Sequence, residues 1–508
     1  MTVPSSRILL VCMVVGAGLI GAGLTISQEA PRVGFSEPVP APGQVPKGVE
    51  VMTRGPVHEA FASPVTEPKA APQIAKKPPL PIDEMPPEER PEGEVVWIGG
   101  YWSWDDDRGD YLWVSGCWRA KPTGKEWVPG YWREVGSNWQ WVCGFWTNSS
   151  PQEVKAAPTT YYPEPPAPPN LAPVADPPGA DQFYVAGYWM WNGDRYVWRA
   201  GYWTKIRPGY VYVPSHYRWT PYGYVFVSGY WDYAVSRRGV LYAPVTVDVA
   251  IVGPRYVYTP YYAIHGEIVL DTLFVRPAFG AYYFGDYYGP RYVGIGFEPC
   301  VVYSRRHYEP IIVYERWNHR DNPRWHEMQI TLVTERGAGR APVPPRTLVQ
   351  QTTIIQNNTN VTNVTNVIAP TKNVMGAQGI KTVPLDAATR TSVKNATQAT
   401  QATLAAQRLK TESAPSTGAM TKPRTADLKV VTSTPVGSPP STGSTKTGTD
   451  SAKGPTTGTL DKGSTPSLDK GASRDSTISP TRDNPRVTPT KDRPDTKKGS
   501  DDKKKKGG

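Results

Sequence analysis

The chain holds 18 Trp and 29 Tyr, and these rings are the groups whose spacing most suggests chemistry. A flat indole left open to solvent stacks on planar or ring-shaped ligands, and a coplanar row of them would form a platform for a glycan or a cell-wall polymer. The residues placed for this are Trp102, Trp118, Trp132, Trp189, Trp203 and Trp231, each the last aromatic of a short aromatic-x-x-Gly-x-aromatic repeat. The competing role for the same rings is core packing, the commoner use of aromatics in small sheets. Other chemistry is thinly provided. Asp105 to Asp107 with Asp110 offer hard oxygens to calcium, but adjacent carboxylates lack the alternate spacing of a calcium loop, and Asp suits turn geometry. His307, His319 and His326, with Asp321 and Glu327 nearby, fall at no metal-ligand spacing. The sequence has no nucleophile elbow, phosphate loop or dinucleotide fingerprint, so the expectation is a noncatalytic protein with no catalytic residue, cofactor or metal.

The rings must be positioned by strands. The repeats run Trp97/Gly100/Trp102, Trp113/Gly116/Trp118, Trp127/Gly130/Trp132 and Trp141/Gly144/Trp146 in one block. A second block has Tyr184/Gly187/Trp189, Trp198/Gly201/Trp203, Tyr212/Ser215/Tyr217 and Phe226/Gly229/Trp231. Starts recur about every fourteen residues, one strand plus one turn, so each block predicts a meander of about four antiparallel strands. Asn192-Gly193 predicts a type I′ turn with Trp191 paired to Asp194. That register sets Trp189 opposite Tyr196, Gly187 opposite Trp198 and Tyr184 opposite Gly201, so the first aromatic of a repeat covers the glycine of its neighbour. Carried along the meander, it pairs Trp203 with Tyr210, Tyr217 with Tyr224, Trp132 with Trp139, Trp102 with Tyr111, and Trp118 with Lys125. The two aromatics of a repeat lie five positions apart and face opposite ways on an unbulged strand, whereas a bulge at each Gly gathers them. Cys117 and Cys143 would stand two strands, roughly 10 Å, apart, too far to bridge, which leaves Cys300 as the partner open to either.

On these in-phase motifs, residues from about Val95 to Tyr233 resemble the bacterial YXWGXW (WXXGXW) repeat proteins. The resemblance implies an envelope-associated surface or periplasmic repeat protein and supplies no activity and no catalytic residues. The pattern breaks where Ser215, His216 and Tyr217 stand for Gly, aromatic and Trp, and where Cys117 replaces an aromatic.

Composition sets the rest. Among 508 residues, 55 Pro and 47 Gly against 9 Phe leave the folded part to the aromatic minority. Arg7 followed by an apolar run from Ile8 to about Ile26 reads as an export signal over 1–27, cleaved after Ser27 or retained as an anchor. Residues 28–94 read as a Pro-rich disordered spacer, 95–147 as the first repeat block, 148–182 as a Pro-rich linker and 183–234 as the second block. Residues 235–350 read as a mixed β region with one short helix, capped by Asn322, with Pro323 first and Gly337 last. An Asn/Thr/Val polar repeat fills 351–368 and a disordered basic tail 369–508, which carries much of the net charge of +11. The expected fold is mainly β, two antiparallel four-stranded meanders of aromatic hairpins with further strands. The expected setting is the periplasm, cell envelope or exterior. Expected partners are a wall polymer or glycan, or a second copy, with no nucleic acid and with membrane contact only through an uncleaved N-terminal segment.

Overall fold

Successive repeats fold in pairs, and each pair makes one antiparallel hairpin broken at its middle. In this computed structural model, which describes residues 45, 47–149, 157–169, 178–248, 250, 256–266, 268–357, 364–412 and 420–428, the chain is mainly antiparallel β in many small sheets. The first hairpin comprises Val95–Ile98, Tyr101–Asp105, Asp110–Val114 and Cys117–Ala120. Its tip pairs Trp102 with Trp113 and its base pairs Trp97 with Trp118. The second runs over Lys125–Val128, Tyr131–Val135, Asn138–Val142 and Phe145–Asn148. The third is Gln182–Val185, Tyr188–Trp191, Tyr196–Arg199 and Tyr202–Lys205, and the fourth Tyr210–Val213, His216–Thr220, Gly223–Val227 and Tyr230–Tyr233.

Within each hairpin the first aromatic of one repeat meets the last aromatic of the other. The eight resulting pairs have ring centroids 5.1 to 5.6 Å apart. Most lie edge to face, as the ring quadrupoles prefer. The ladder lapses at the residue before the glycine and at the glycine itself, and a ring fills the space. A Cβ on Gly116 would lie 2.6 Å from Trp97 Cζ2, and one on Gly187 would lie 2.5 Å from Trp198 Cζ2. The aromatic cover of glycine thus holds, but it is diagonal. Trp191 pairs with Tyr196 and Trp189 with Trp198, because Asn192 to Arg195 form a four-residue loop closed by Asn192 N–H to the Arg195 carbonyl at 2.9 Å. The type I′ register is therefore displaced by two positions, which keeps every side chain on its face.

Pairing between successive hairpins does not follow the expected meander. Tyr210 faces Tyr233 and Lys125 faces Asn148, each within its own hairpin, while at the other hairpin tips the same two-position displacement recurs, with Tyr111 facing Trp104, Trp139 facing Glu134 and Tyr224 facing Trp219. The hairpin edges are taken instead by distant segments. Val245–Val247 joins Asp110–Val114 to Val49–Val51, Gly239–Leu241 pairs with Cys117–Ala120, and Gln73–Ile74 pairs with Asn138–Val142. Ala157–Tyr162 lies between Gly223–Val227 and Arg424–Leu428.

The reading of 28–94 as a disordered spacer is corrected over residues 47–94. That stretch supplies strands Val49–Val51, Gly55–Pro56, Gln73–Ile74, Asp83–Glu84 and Glu89–Pro91. Proline suits this use, since it favours extended backbone and is tolerated where its missing donor faces away from a ladder. The tail is corrected likewise, with helices Thr371–Ala377 and Ala387–Glu412 and strand Arg424–Leu428, while 429–508 and 1–27 lie outside the described residues. The expected single helix becomes several. Trp325–Gly337 is the anticipated one, entered from Arg324 rather than Asn322, and Pro310–Asn318, Leu348–Asn357 and Ala387–Glu412 are further helices.

The main core joins the first hairpin to 256–333 through Trp102, Trp113, Phe274, Tyr283, Tyr287 and Ile312. A buried ionic group ties the first hairpin to the fourth: Arg119 Nη2 lies 2.6 Å from Asp232 Oδ1, and Arg238 Nε lies 3.2 Å from Asp232 Oδ2. Gly116→Ala is expected to destabilise the full chain by roughly 1–3 kcal/mol, because the new methyl meets a packed indole and a carbonyl. Gly294→Ala, with open space at its Cβ, should change the urea midpoint little.

Candidate functional site

Each broken hairpin leaves glycine N–H groups and carbonyls outside any ladder, and buried groups of this kind need partners. In the first hairpin Gly100 N–H donates to Glu84 Oε2 at 2.9 Å and Gly116 N–H to Glu84 Oε1 at 3.0 Å. Trp113 Nε1 donates to the same carboxylate at 3.1 Å. The second hairpin repeats the arrangement with another residue: Gly144 N–H and Trp141 Nε1 donate to Glu59 at 2.8 and 2.5 Å. Both glutamates are buried. The fourth hairpin solves the problem internally. Phe226 stands where an indole N–H would be, and Gly229 N–H donates to Ser215 Oγ at 2.9 Å, so the serine that breaks the motif supplies the acceptor.

Freed carbonyls are met from the other side. His58 Nδ1 accepts from Ala60 N–H at 3.1 Å, so its Nε2–H donates to the Gly99 carbonyl, also at 3.1 Å. Gln401 Nε2 reaches the same Gly99 carbonyl at 2.8 Å, and Arg408 Nη1 reaches the Pro129 and Cys143 carbonyls at 2.8 and 3.0 Å. Gln401 and Arg408 are two helical turns, about 10.5 Å, apart, so one helix, Ala387–Glu412, caps both hairpins.

The aromatic tips hold proline-rich backbone. Tyr111 OH donates to the Lys76 carbonyl at 2.6 Å and Trp102 Nε1 to the Leu80 carbonyl at 2.8 Å. The third hairpin does the same with the equivalent residues: Tyr196 OH donates to the Pro163 carbonyl at 2.6 Å and Trp189 Nε1 to the Ala167 carbonyl at 3.2 Å. In both, the two carbonyls are four residues apart and run in the same direction relative to the donors. This is recognition of an extended segment by an aromatic surface with fixed N–H and O–H donors.

Between the first two hairpins and the long helix lies a cleft of about 1490 Å³, counting its open mouth. Trp102, Tyr131 and Trp132 line one side and Lys394, Gln398 and Gln401 the other. Asp83 at its edge accepts from Lys394 at 2.8 Å and Gln398 at 2.9 Å, which hold its carboxyl below the usual range against the opposing effect of burial, itself the largest influence.

The six expected platform residues are not gathered. Trp102 and Trp132 meet at the cleft, where Trp132 Nε1 donates to the Trp102 carbonyl at 2.9 Å. Trp118 is fully buried beneath Trp97, which removes it from any surface. Trp189 and Trp203 are half-buried in the third hairpin, facing Trp198 and Tyr184. Trp231, half-buried, carries the Arg207 guanidinium over its ring at 4.7 Å. The contact expected between Trp118 and Lys125 is replaced by Lys125 over Tyr230 at 5.0 Å. The acidic turn is engaged by cations: Arg54 and Arg291 pair with Asp107, Arg276 with Asp106 at 2.7 Å, and Lys76 with Asp110 at 2.6 Å. Cys117, Cys143 and Cys300 are free thiols. Glu59, Glu84, Gln401 and Arg408 were not singled out by the sequence reading. The signal for the first two is the shared order Pro56-Val57-His58-Glu59 and Pro81-Ile82-Asp83-Glu84.

Fold and site together define a repeat protein whose unit is a two-repeat aromatic hairpin that binds segments of its own chain. The chain carries WXXGXW repeats: the family model described as WXXGXW repeat (2 copies) matches residues 95–119, 179–204 and 207–231. Each match spans one hairpin, the first, third and fourth, and the second has the same geometry. No curated protein and no solved structure matches the chain.

Glu84→Gln sets an amide N–H against these donors and is expected to cost about 1–3 kcal/mol in urea unfolding of the full chain. Burial pushes Glu84 from 4.5 up to about 7 and His58 from 6.5 down to about 4. The Glu84 contribution is full below pH 4.5 and is lost as pH rises toward 7, whereas that of His58 is full above pH 6.5 and is lost as pH falls toward 4. Unfolding measured stepwise over that range should show Glu84→Gln removing a fall in stability with pH, and His58→Gln removing a rise.

Proposed function

We propose that this is a noncatalytic, exported structural or interaction protein of the bacterial envelope, in which aromatic hairpins act as receptors for extended, proline-rich polypeptide. The observation that carries this reading is the pair of equivalent contacts, Tyr111 and Trp102 on Lys76 and Leu80, and Tyr196 and Trp189 on Pro163 and Ala167. Most rings are engaged edge to face with one another, which supports packing and peptide holding over a coplanar stacking platform. Export rests on Arg7 and the apolar run that follows it. The cleft beside Trp132, with amide and ammonium groups facing aromatic rings, favours a second reading, a carbohydrate-binding module for wall polymer.

Cell fractionation with sequencing of the mature N-terminus tests export: the expected product begins at Gln28 outside the cytoplasm, and a full-length cytoplasmic product would sink that part of the reading. Purified wall polymer is expected to leave the tryptophan fluorescence of the full chain unchanged. Saturable quenching that disappears in Trp132→Ala would move the assignment to the carbohydrate module.

A further inference from the structure

The tip of the third hairpin carries the one Asn-Gly dipeptide in the 508 residues, Asn192-Gly193. A peptide nitrogen that follows an asparagine can attack that asparagine's side-chain amide. The reaction needs a following residue with no side chain in the way, a segment free to bend back outside a ladder or helix, and access for water. Glycine meets the first need, since without a Cβ it neither blocks the approach nor resists unusual backbone angles. Gly193 already sits at φ 84°, and among the described residues a Cβ built there would meet no atom within 4 Å beyond its chain neighbours. The ladder of this hairpin ends at Trp191 with Tyr196, and the bond that closes the loop uses Asn192 N–H and the Arg195 carbonyl, not Gly193 N–H. Asn192, Gly193, Asp194 and Arg195 are all exposed.

Other asparagines are held away from this chemistry. Asn148 Oδ1 accepts from Lys125 Nζ at 2.7 Å, and the nitrogen that would attack its side chain, that of Ser149, donates to the Gly124 carbonyl at 2.8 Å. The Val367 N–H that follows Asn366 donates to Gln351 Oε1 at 3.0 Å. Asn395 lies inside the helix Ala387–Glu412, where the next N–H belongs to the helical ladder. We infer that Asn192 is a modification site, converted spontaneously to isoaspartate and aspartate in the folded protein. The Gly193 nitrogen gives its proton to solvent base and bonds to Asn192 Cγ. The Cγ–Nδ2 bond breaks, ammonia leaves with a proton returned by the solvent, and a five-membered imide closes. Water then adds to either imide carbonyl and opens the ring, and nothing is oxidised or reduced. Opening at the α-carbonyl gives isoaspartate, which routes the backbone through Cβ and lengthens the loop by one atom. The closing bond from Asn192 to Arg195 and the edge-to-face pair of Trp191 with Tyr196, ring centroids 5.1 Å apart, both depend on the present loop length. The hairpin tip therefore loosens as the protein ages. This is independent of export and of the reading of the hairpins as peptide receptors.

The test holds the full-length protein in mildly alkaline buffer, samples it over days and digests each sample with chymotrypsin, which releases residues 192–196 as NGDRY. Chromatography with mass spectrometry is expected to show NGDRY giving way to two products of the acid mass, with the isoaspartate form in excess. The rate should be at least tenfold above any change at Asn148 or Asn366, and lower in mildly acidic buffer, where less of the nitrogen is deprotonated. Asn192→Gln, whose longer side chain closes the larger ring poorly, should yield no such products while keeping the circular dichroism spectrum. A synthetic peptide of residues 188–199 gives the rate of the unrestrained chain. A rate in the folded protein more than tenfold below that of the peptide would mean that the loop holds the amide away from the nitrogen, and overturns the proposal. Conversion at Asn148 or Asn366 that keeps pace with Asn192 overturns it as well. Amide hydrogen exchange over 188–199 is expected to be faster in the isoaspartate fraction than in fresh protein, and equal exchange overturns the loosening of the tip.

Discussion

A hairpin that breaks its own ladder inside a folded protein must find acceptors for the N–H groups and donors for the carbonyls it releases. Everything else in this structure follows from that demand. Glycine is needed at the break because an aromatic ring from the partner strand occupies the place of its side chain. The ring brings an indole N–H to the same spot, and together they form a small nest of donors suited to a carboxylate. An isolated hairpin of this kind would be marginal, since two strands bury little and the break removes ladder bonds. The repeats therefore cannot stand as independent beads. They are held by segments 49–91, by the helix Ala387–Glu412 and by short strands from as far away as Arg424–Leu428.

Charge is used in the same service. Arg119, Asp232 and Arg238 sit together in the interior, and Arg408 with Glu412 links the Tyr131 and Tyr161 hydroxyls to the carbonyls of the second hairpin. Buried ion pairs add little net stability over a well-packed apolar alternative, but losing one partner is costly, so they fix which hairpin sits beside which. The turn Asp105 to Asp107 does similar work where it docks among Arg54, Arg276 and Arg291.

Much of the local logic was legible in the sequence. Repeats with two aromatics around a glycine implied antiparallel strands with rings over glycines, and that is what forms. The register was misjudged because Asn192-Gly193 sits inside a four-residue loop, where Asn192 bonds to Arg195, rather than at the centre of a two-residue turn. The order of strands was misjudged because sequence neighbours need not pair when a distant edge offers a better partner, as Val245–Val247 does. The clasping glutamates escaped notice for a compositional reason: Glu59 and Glu84 lie among prolines, in stretches whose makeup reads as spacer. Helix Ala387–Glu412, rich in Ala, Thr and Gln, likewise has few apolar residues, and its anchoring runs through Gln401 and Arg408.

The distance between Arg408 and the Pro129 carbonyl it caps, 279 residues along the chain, has a bearing on the order of events during synthesis. The second hairpin emerges from the ribosome long before its cap exists, and contacts of such high sequence separation form slowly. Until the helix arrives, the Pro129 and Cys143 carbonyls of the second hairpin lack this cap. A chain whose early hairpin is capped by so late a helix completes its fold only once residues 387–412 have been made.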